Sequence, residues 1–208
     1  LVDKREGGEE AVVLLKKRPN TWEYGVVELK NDVVTAVVEK PKRGEEPTNY
    51  CLVSIYLLPK SFIELLGKTN KHHYNFEEAL DTFVKVGKVK AVKTKEFVGT
   101  LKYPWDILAV KNFLLDGIEK HTGKNVSIAK SAELLGKVYI EDGVTIMEGV
   151  RIKGPCYIGK NVIIGNNALL RNGVDVEEET TVGAYMEVKN TLLMKNSEMH
   201  SGFIGDSV

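Results

Sequence analysis

A six-residue apolar repeat constrains this chain more than any other feature. Val138, Val144, Val150, Cys156, Val162, Ala168, Val174, Thr180 and Met186 hold its first position through nine turns. Two residues after each stand Ile140, Ile146, Ile152, Ile158, Ile164, Leu170, Val176, Val182 and Val188. If Ile, Leu and Val are about a quarter of an ordinary domain, nine in succession has odds on the order of 10⁻⁶ to 10⁻⁵. Neither the helical period of 3.6 nor the strand period of 2 produces this spacing. Six residues make one short strand and one turn, so the repeat predicts a parallel β-helix with both apolar positions pointing inward. Each coil buries its face only against its neighbours. Gly143, Gly149, Asn161, Asn167 and Gly173 suit the tight or left-handed backbone that the corners need.

The other bulk properties narrow the partners. The chain of 208 residues has room for one large or two modest domains. Lys plus Arg and Asp plus Glu each number 29, a balance that argues against nucleic acid or an acidic membrane surface as main partner. No apolar run is long enough to cross a membrane, and no charged-then-apolar leader opens the chain, so the expected location is the cytoplasm. Cys51 and Cys156 fall inside apolar strand patterns and read as small buried hydrophobes. The chain opens on Leu1, in a charged stretch to Glu10 that resembles a helix end, and stops at Val208 as another repeat begins. An uncapped coil exposes its core, so a segment of a longer protein is expected.

Before the repeat the pattern is mixed α and β. Ala11 to Leu15, Val26 to Leu29, Val33 to Val38 and Leu52 to Leu58 read as strands, with Asn31-Asp32 marking a tight hairpin. Pro59 to Gly67 predicts a short helix ending on Gly. Asn75 opens another, with Glu78 in a capping-box-like position and Phe76, Leu80, Phe83 and Val84 on one face. Trp105 to Lys120 predicts a longer helix with Ile107, Val110, Leu114 and Ile118 inward. The joint to the solenoid is expected in His121 to Asn125, dividing the chain into domains 1–122 and 123–208.

Four constellations in this half bear on chemistry. In Trp22 to Val27 an aromatic residue and Gly25 lead into a strand; a Gly there admits a ligand to the backbone, and a simple turn would read alike. Val37-Val38-Glu39-Lys40-Pro41 ends a strand in a carboxylate for hydroxyls and an ammonium for a phosphate, or in an ordinary solvated end. Asn49 to Leu58, with Tyr56, could wall a pocket. Tyr103-Pro104-Trp105-Asp106 puts an Asp in a first helical turn, where it serves the helix dipole or a hard metal ion. His72-His73 reads as a solvated loop. Lys88, Lys90 and Lys95 read as one wet strand face.

These pieces, in this order and followed by hexapeptide repeats, resemble sugar-1-phosphate nucleotidylyltransferases that carry a left-handed β-helix. Glucose-1-phosphate thymidylyl- and uridylyltransferases belong to that family, as does the bifunctional N-acetylglucosamine-1-phosphate uridylyltransferase/acetyltransferase. The resemblance implies the C-terminal half of a Rossmann-like nucleotidyltransferase domain, then a left-handed β-helix whose flat faces assemble into a homotrimer. It implies that Gly25 contacts the sugar, Glu39 holds its hydroxyls, Lys40 neutralises the sugar phosphate and Tyr56 sits on the pocket-wall strand. Ser54 stands where the family often has Gly. Asp106 would be the second of two Asp ligands to Mg²⁺.

The implied reaction joins a nucleoside triphosphate, UTP or dTTP, to a sugar-1-phosphate with release of pyrophosphate. The family's Gly-rich nucleotide loop and first Mg²⁺ Asp would precede Leu1. No Gly-x-Gly-Thr loop occurs in this sequence, and Gly7-Gly8 is a linker-like pair. The segment is therefore expected to carry the sugar side of the site and to be inactive alone. In bifunctional relatives a His before a Gly-Asp pair is the general base of acetyl transfer from acetyl-CoA, which His200, Gly205 and Asp206 match. The competing readings are a hexapeptide acyltransferase with a sugar-binding platform and a non-catalytic oligomerisation or regulatory module.

Overall fold

The computed structural model describes residues 10–208. The expected helix end and the Gly7-Gly8 pair fall on residues 1–9, outside the described residues. The chain divides into two compact units, Leu1–Val98 and Gly99–Val208.

In the first unit, β1 (Ala11–Lys17), β2 (Gly25–Lys30), β3 (Val33–Glu39), β4 (Tyr50–Leu57) and β5 (Val89–Thr94) form a mixed sheet. The hairpin between β2 and β3 turns on Asn31 and Asp32, both left-handed at φ 50° and 61°. That conformation matches the twist of the flanking strands. The strand order β1-β4-β2-β3-β5 closes into a barrel, with β5 parallel to β1 and meeting β3 through Val33 and Lys90. Alternating side chains put Ala11, Val13, Leu15, Val27, Val34 and Leu52 in the core. Phe62 of α1 (Lys60–Lys68) and Ala79, Leu80 and Phe83 of α2 (Asn75–Val86) complete it.

Two helix-end expectations need correction. α1 runs through Gly67 to Lys68, and Thr69 caps it. Tyr74, not Asn75, is the N-cap of α2, and it makes no side-chain cap bond. The expected capping box does not form, because the Glu78 carboxylate pairs with His72 Nε2 at 2.6 Å instead.

The second unit contains α3 (Asp106–Asp116) and, among the described residues, fifteen short strands from His121–Thr122 to Phe203–Gly205. They form three parallel sheets of five strands each, a β-helix with three flat faces. Cys156 pairs in register with Val138 and Val174, three hexads before and after. All eighteen first- and second-position residues of the repeat are buried, Thr180 included. Thr180 settles its hydroxyl on the carbonyl of Met194. The last coil is shorter: Asp175 pairs with Leu192 one residue early, and Val188 pairs with Ile204 two early.

The corners follow from backbone chemistry. Gly143 and Asn161 sit one above the other, at φ 75° and 55°. A Cβ on Gly143 would fall 2.2 Å from Asn161 Oδ1, so the smaller residue makes room for the larger one beside it. The Asn161 amide in turn donates to Glu179 Oε1 at 2.7 Å.

α3 also departs from expectation. It ends at Asp116, and its buried residues are Lys111 and Leu115, while Leu114 is 63% exposed. Polar docking sets this rotation. Lys111 Nζ donates to the carbonyl of Gly173 and, at 3.0 Å, to Asn190 Oδ1, which also accepts from the Asn112 amide. Burial lowers the Lys111 pKa, against the opposing pull of Asp175 and Asp206. A hydrophobic count along the helix does not see such bonds.

Candidate functional site

The register of the β2–β3 hairpin places Gly25 directly opposite Glu39. Gly25 is buried, and a Cβ there would lie 2.8 Å from Glu39 Oε2 and 3.3 Å from Leu52 Cδ1. The missing side chain thus makes space for the Glu39 carboxylate. Lys40 follows in the left-handed region at φ 44°, its N–H bonded to the carbonyl of Tyr24. This kink ends the strand before Pro41. The Lys40 ammonium donates to the Tyr74 hydroxyl at 3.1 Å and lies 4.9 Å from the centre of that ring.

Glu39 and Tyr74 line a 270 Å³ cavity with Val37, His72, Glu77, Glu78 and Asp81. Asp81 is anchored, accepting from the Val37 N–H and from Lys85, and the Lys85 bond holds its carboxyl below the usual value against the effect of burial. His72 is fixed as well: Nδ1 accepts from the Tyr74 N–H, which makes Nε2 the donor to Glu78 when the ring is neutral. His73 packs its ring edge-on against Tyr74. The pair expected to be merely solvated therefore shapes the loop that carries Tyr74.

Tyr56 is half-buried against Phe76, with ring centres 5.0 Å apart. Burial pushes its phenol pKa up, and the charges of Glu77 and Glu39 push the same way. The strand bulges just before it, where Val13 and Leu15 pair with Tyr56 and Leu52, and Ser54 adopts φ 57°. That is a glycine-favouring conformation, adopted here by a serine. Of the four expected residues Glu39 lines this cavity, Gly25 faces Glu39 across the hairpin, Lys40 bonds to Tyr74 of the lining, and Tyr56 packs on Phe76.

Asp106 and His200 belong to the second unit. Asp106 Oδ2 accepts from the backbone N–H groups of Lys102 and Tyr103, at 2.8 and 2.9 Å, and so closes the turn before α3. Among the described residues no three His, Cys, Asp or Glu side chains come together to hold a metal ion. Asp106 would offer Mg²⁺ one of the several oxygen ligands that the ion prefers. The His200 side chain is 85% exposed, with Nδ1 4.0 Å from Glu198. Asp206 engages Asn190 at 2.7 Å and Lys189 at 3.1 Å, and these bonds lower its pKa.

Tyr74, His72 and Glu77 are the site residues that sequence reasoning missed. Their only local signal is an aromatic residue just before a helix start.

Residues 1–112 match the nucleotidyl transferase family, more than half of the chain, and the chain belongs to that family. It is similar to "Bifunctional protein GlmU" of Methanocaldococcus jannaschii, with 31% identity over 94% of this chain and 48% of that protein. It is likewise similar to the "Bifunctional sugar-1-phosphate nucleotidylyltransferase/acetyltransferase" of Sulfurisphaera tokodaii, with 30% identity over 96% of this chain and 50% of that one. The chain spans about half the length of the curated relatives it matches. No helix among the described residues is long and apolar enough to cross a membrane.

Proposed function

We propose that this chain supplies the sugar side of a sugar-1-phosphate nucleotidylyltransferase. One observation carries the reading: the Gly25–Glu39 pair, with Lys40 turned out of the strand beside it and held on Tyr74. Glu39 accepts hydrogen bonds from sugar hydroxyls. Lys40 places its ammonium against the sugar phosphate, a compact charge on a flexible stem steadied by the Tyr74 hydroxyl. Tyr56, kept neutral by burial and by the nearby carboxylates, walls the pocket and offers its O–H.

In the reaction, an oxygen of the sugar phosphate attacks the α-phosphorus of UTP or dTTP. The bond from that phosphorus to the β-phosphate bridging oxygen breaks, and pyrophosphate leaves. Such a transfer depends on positioning and charge neutralisation, which is what Glu39 and Lys40 provide. The nucleotide binds through residues other than these. Acetyl transfer from acetyl-CoA with His200 as base, assembly as a homotrimer through the coil and a cytoplasmic location complete the proposal. The relatives named bifunctional support the first of these.

Pyrophosphate release by the complete protein tests the reading. Lys40→Ala is expected to lower the rate at least about 100-fold, the scale of losing a positioned transition-state partner. His200→Ala is expected to leave that rate intact and stop only acetyl transfer. Unchanged pyrophosphate release in Lys40→Ala would remove Lys40 from the mechanism.

A further inference from the structure

A second cavity in the first unit lies apart from the residues described above. It measures 460 Å³ and is lined by Lys16, Lys17, Tyr50, Lys93, Thr94 and Lys95. The parallel strands β1 and β5 end together here, with Lys16 in register with Thr94, and the antiparallel strand β4 begins opposite, with Tyr50 facing Lys17.

The charge distribution is unusual for a strand end. The Lys17 ammonium lies 5.3 Å from the centre of the Tyr50 ring and the Lys93 ammonium 5.1 Å from it, so two like charges share one aromatic side chain. Each gains from the ring quadrupole, yet they repel one another. Lys93 is partly neutralised by Asp32 at 2.5 Å, and that bond raises its pKa. Lys16 is directed elsewhere, to the carbonyl of Glu96 and towards the Phe97 ring. Lys17 and Lys95 therefore add positive charge that the Asp32 carboxylate does not offset. A cavity lined with one sign of charge concentrates counter-ions.

We propose that this cavity is a binding site for a diphosphate group, distinct from the sugar side of the transferase site. A diphosphate places two charged centres a few ångströms apart, matching ammonium groups that converge from separate strands, and each contact is a charge-assisted hydrogen bond. The Tyr50 ring already carries ammonium groups, so the site reads the phosphates and not a stacked base. The diphosphate comes either free, as pyrophosphate, or carried on a nucleoside. This inference does not depend on the role given to Lys40.

Calorimetric titration of the full chain at low salt tests it, with inorganic pyrophosphate and UDP as probes. Saturable pyrophosphate binding is expected, weakened at least about tenfold in Lys17→Met/Lys95→Met and unchanged in Lys60→Met, which removes an exposed charge of α1 outside both cavities. Both substituted lysines are exposed at strand ends, so the fold is retained. Asp32→Asn should tighten binding by freeing the Lys93 charge, an effect of opposite sign that structural damage would not mimic. UDP binding as tightly as pyrophosphate marks recognition of the diphosphate alone. UDP binding about tenfold tighter marks a nucleoside-borne ligand at the same site. Unaltered affinity in the double variant, or an equal loss in Lys60→Met, would overturn the proposal.

Discussion

The proposed site turns on Gly25, whose fit against Glu39 is visible only in three dimensions. At Gly25 the strand gives up its side chain, and the Glu39 carboxylate occupies the space. Because the clashing atom is the end of a flexible side chain, Gly25→Ala is expected to fold, with its urea midpoint close to that of the parent. Its carboxylate would be displaced, so the KM for the sugar phosphate should rise at least about tenfold while the KM for the nucleoside triphosphate stays put. A fall in stability with both KM values unchanged would show that Gly25 serves the fold alone. The strand end at Glu39 and Lys40 was legible in the sequence. Tyr74 was not, since its contact with Lys40 bridges 34 residues.

Asp175 shows a different residue-scale effect. One of its carboxylate oxygens is buried without a hydrogen-bond partner, and desolvation, helped by Glu177 and opposed by Lys111, raises its pKa to about 6. An acid whose pKa is higher folded than unfolded binds more protons in the native state. Stability therefore falls as pH rises from about 4 to about 6 and stays lower above that. Asp175→Asn removes this penalty. The variant should be more stable than the parent at pH 7, by about 1 kcal/mol after allowing for solvent screening, and the difference should vanish below about pH 4. Denaturant melts across that range would read the effect, and a pH-independent difference would contradict it.

At the scale of elements, the hexapeptide repeat translated into structure position by position. A β-helix is built from local, repeated contacts, and every inward position of the pattern is buried. Ile158 lies mid-coil and is fully buried, packed with neighbours from the coils on either side. Ile158→Ala is expected to cost about 2–5 kcal/mol, seen as a lowered urea midpoint for the coil. The barrel closure of the first unit and the rotation of α3 were not legible. Each depends on partners distant in sequence: Val33 with Lys90 in one case, Lys111 with Gly173 and Asn190 in the other. The apolar spacing along α3 pointed to Leu114, but hydrogen bonds to the coil selected Lys111 and Leu115.

For the molecule as a whole, the family match and the structural units do not share a boundary. The match runs to residue 112, within α3, whereas the compact units divide between Val98 and Gly99. The last stretch of the nucleotidyl transferase sequence is thus part of the unit that holds the coil, pinned there by Lys111 and Asn112. The most direct test of the proposed function is binding of a sugar-1-phosphate to this 208-residue chain, followed by amide chemical shifts in titrations with α-D-glucose 1-phosphate and N-acetylglucosamine 1-phosphate. One of them should bind saturably, shifting the amides of Gly25, Glu39 and Lys40, with affinity reduced at least about tenfold by Lys40→Ala. Saturable binding that leaves those amides unmoved, or that Lys40→Ala and Glu39→Gln leave at full strength, would contradict it.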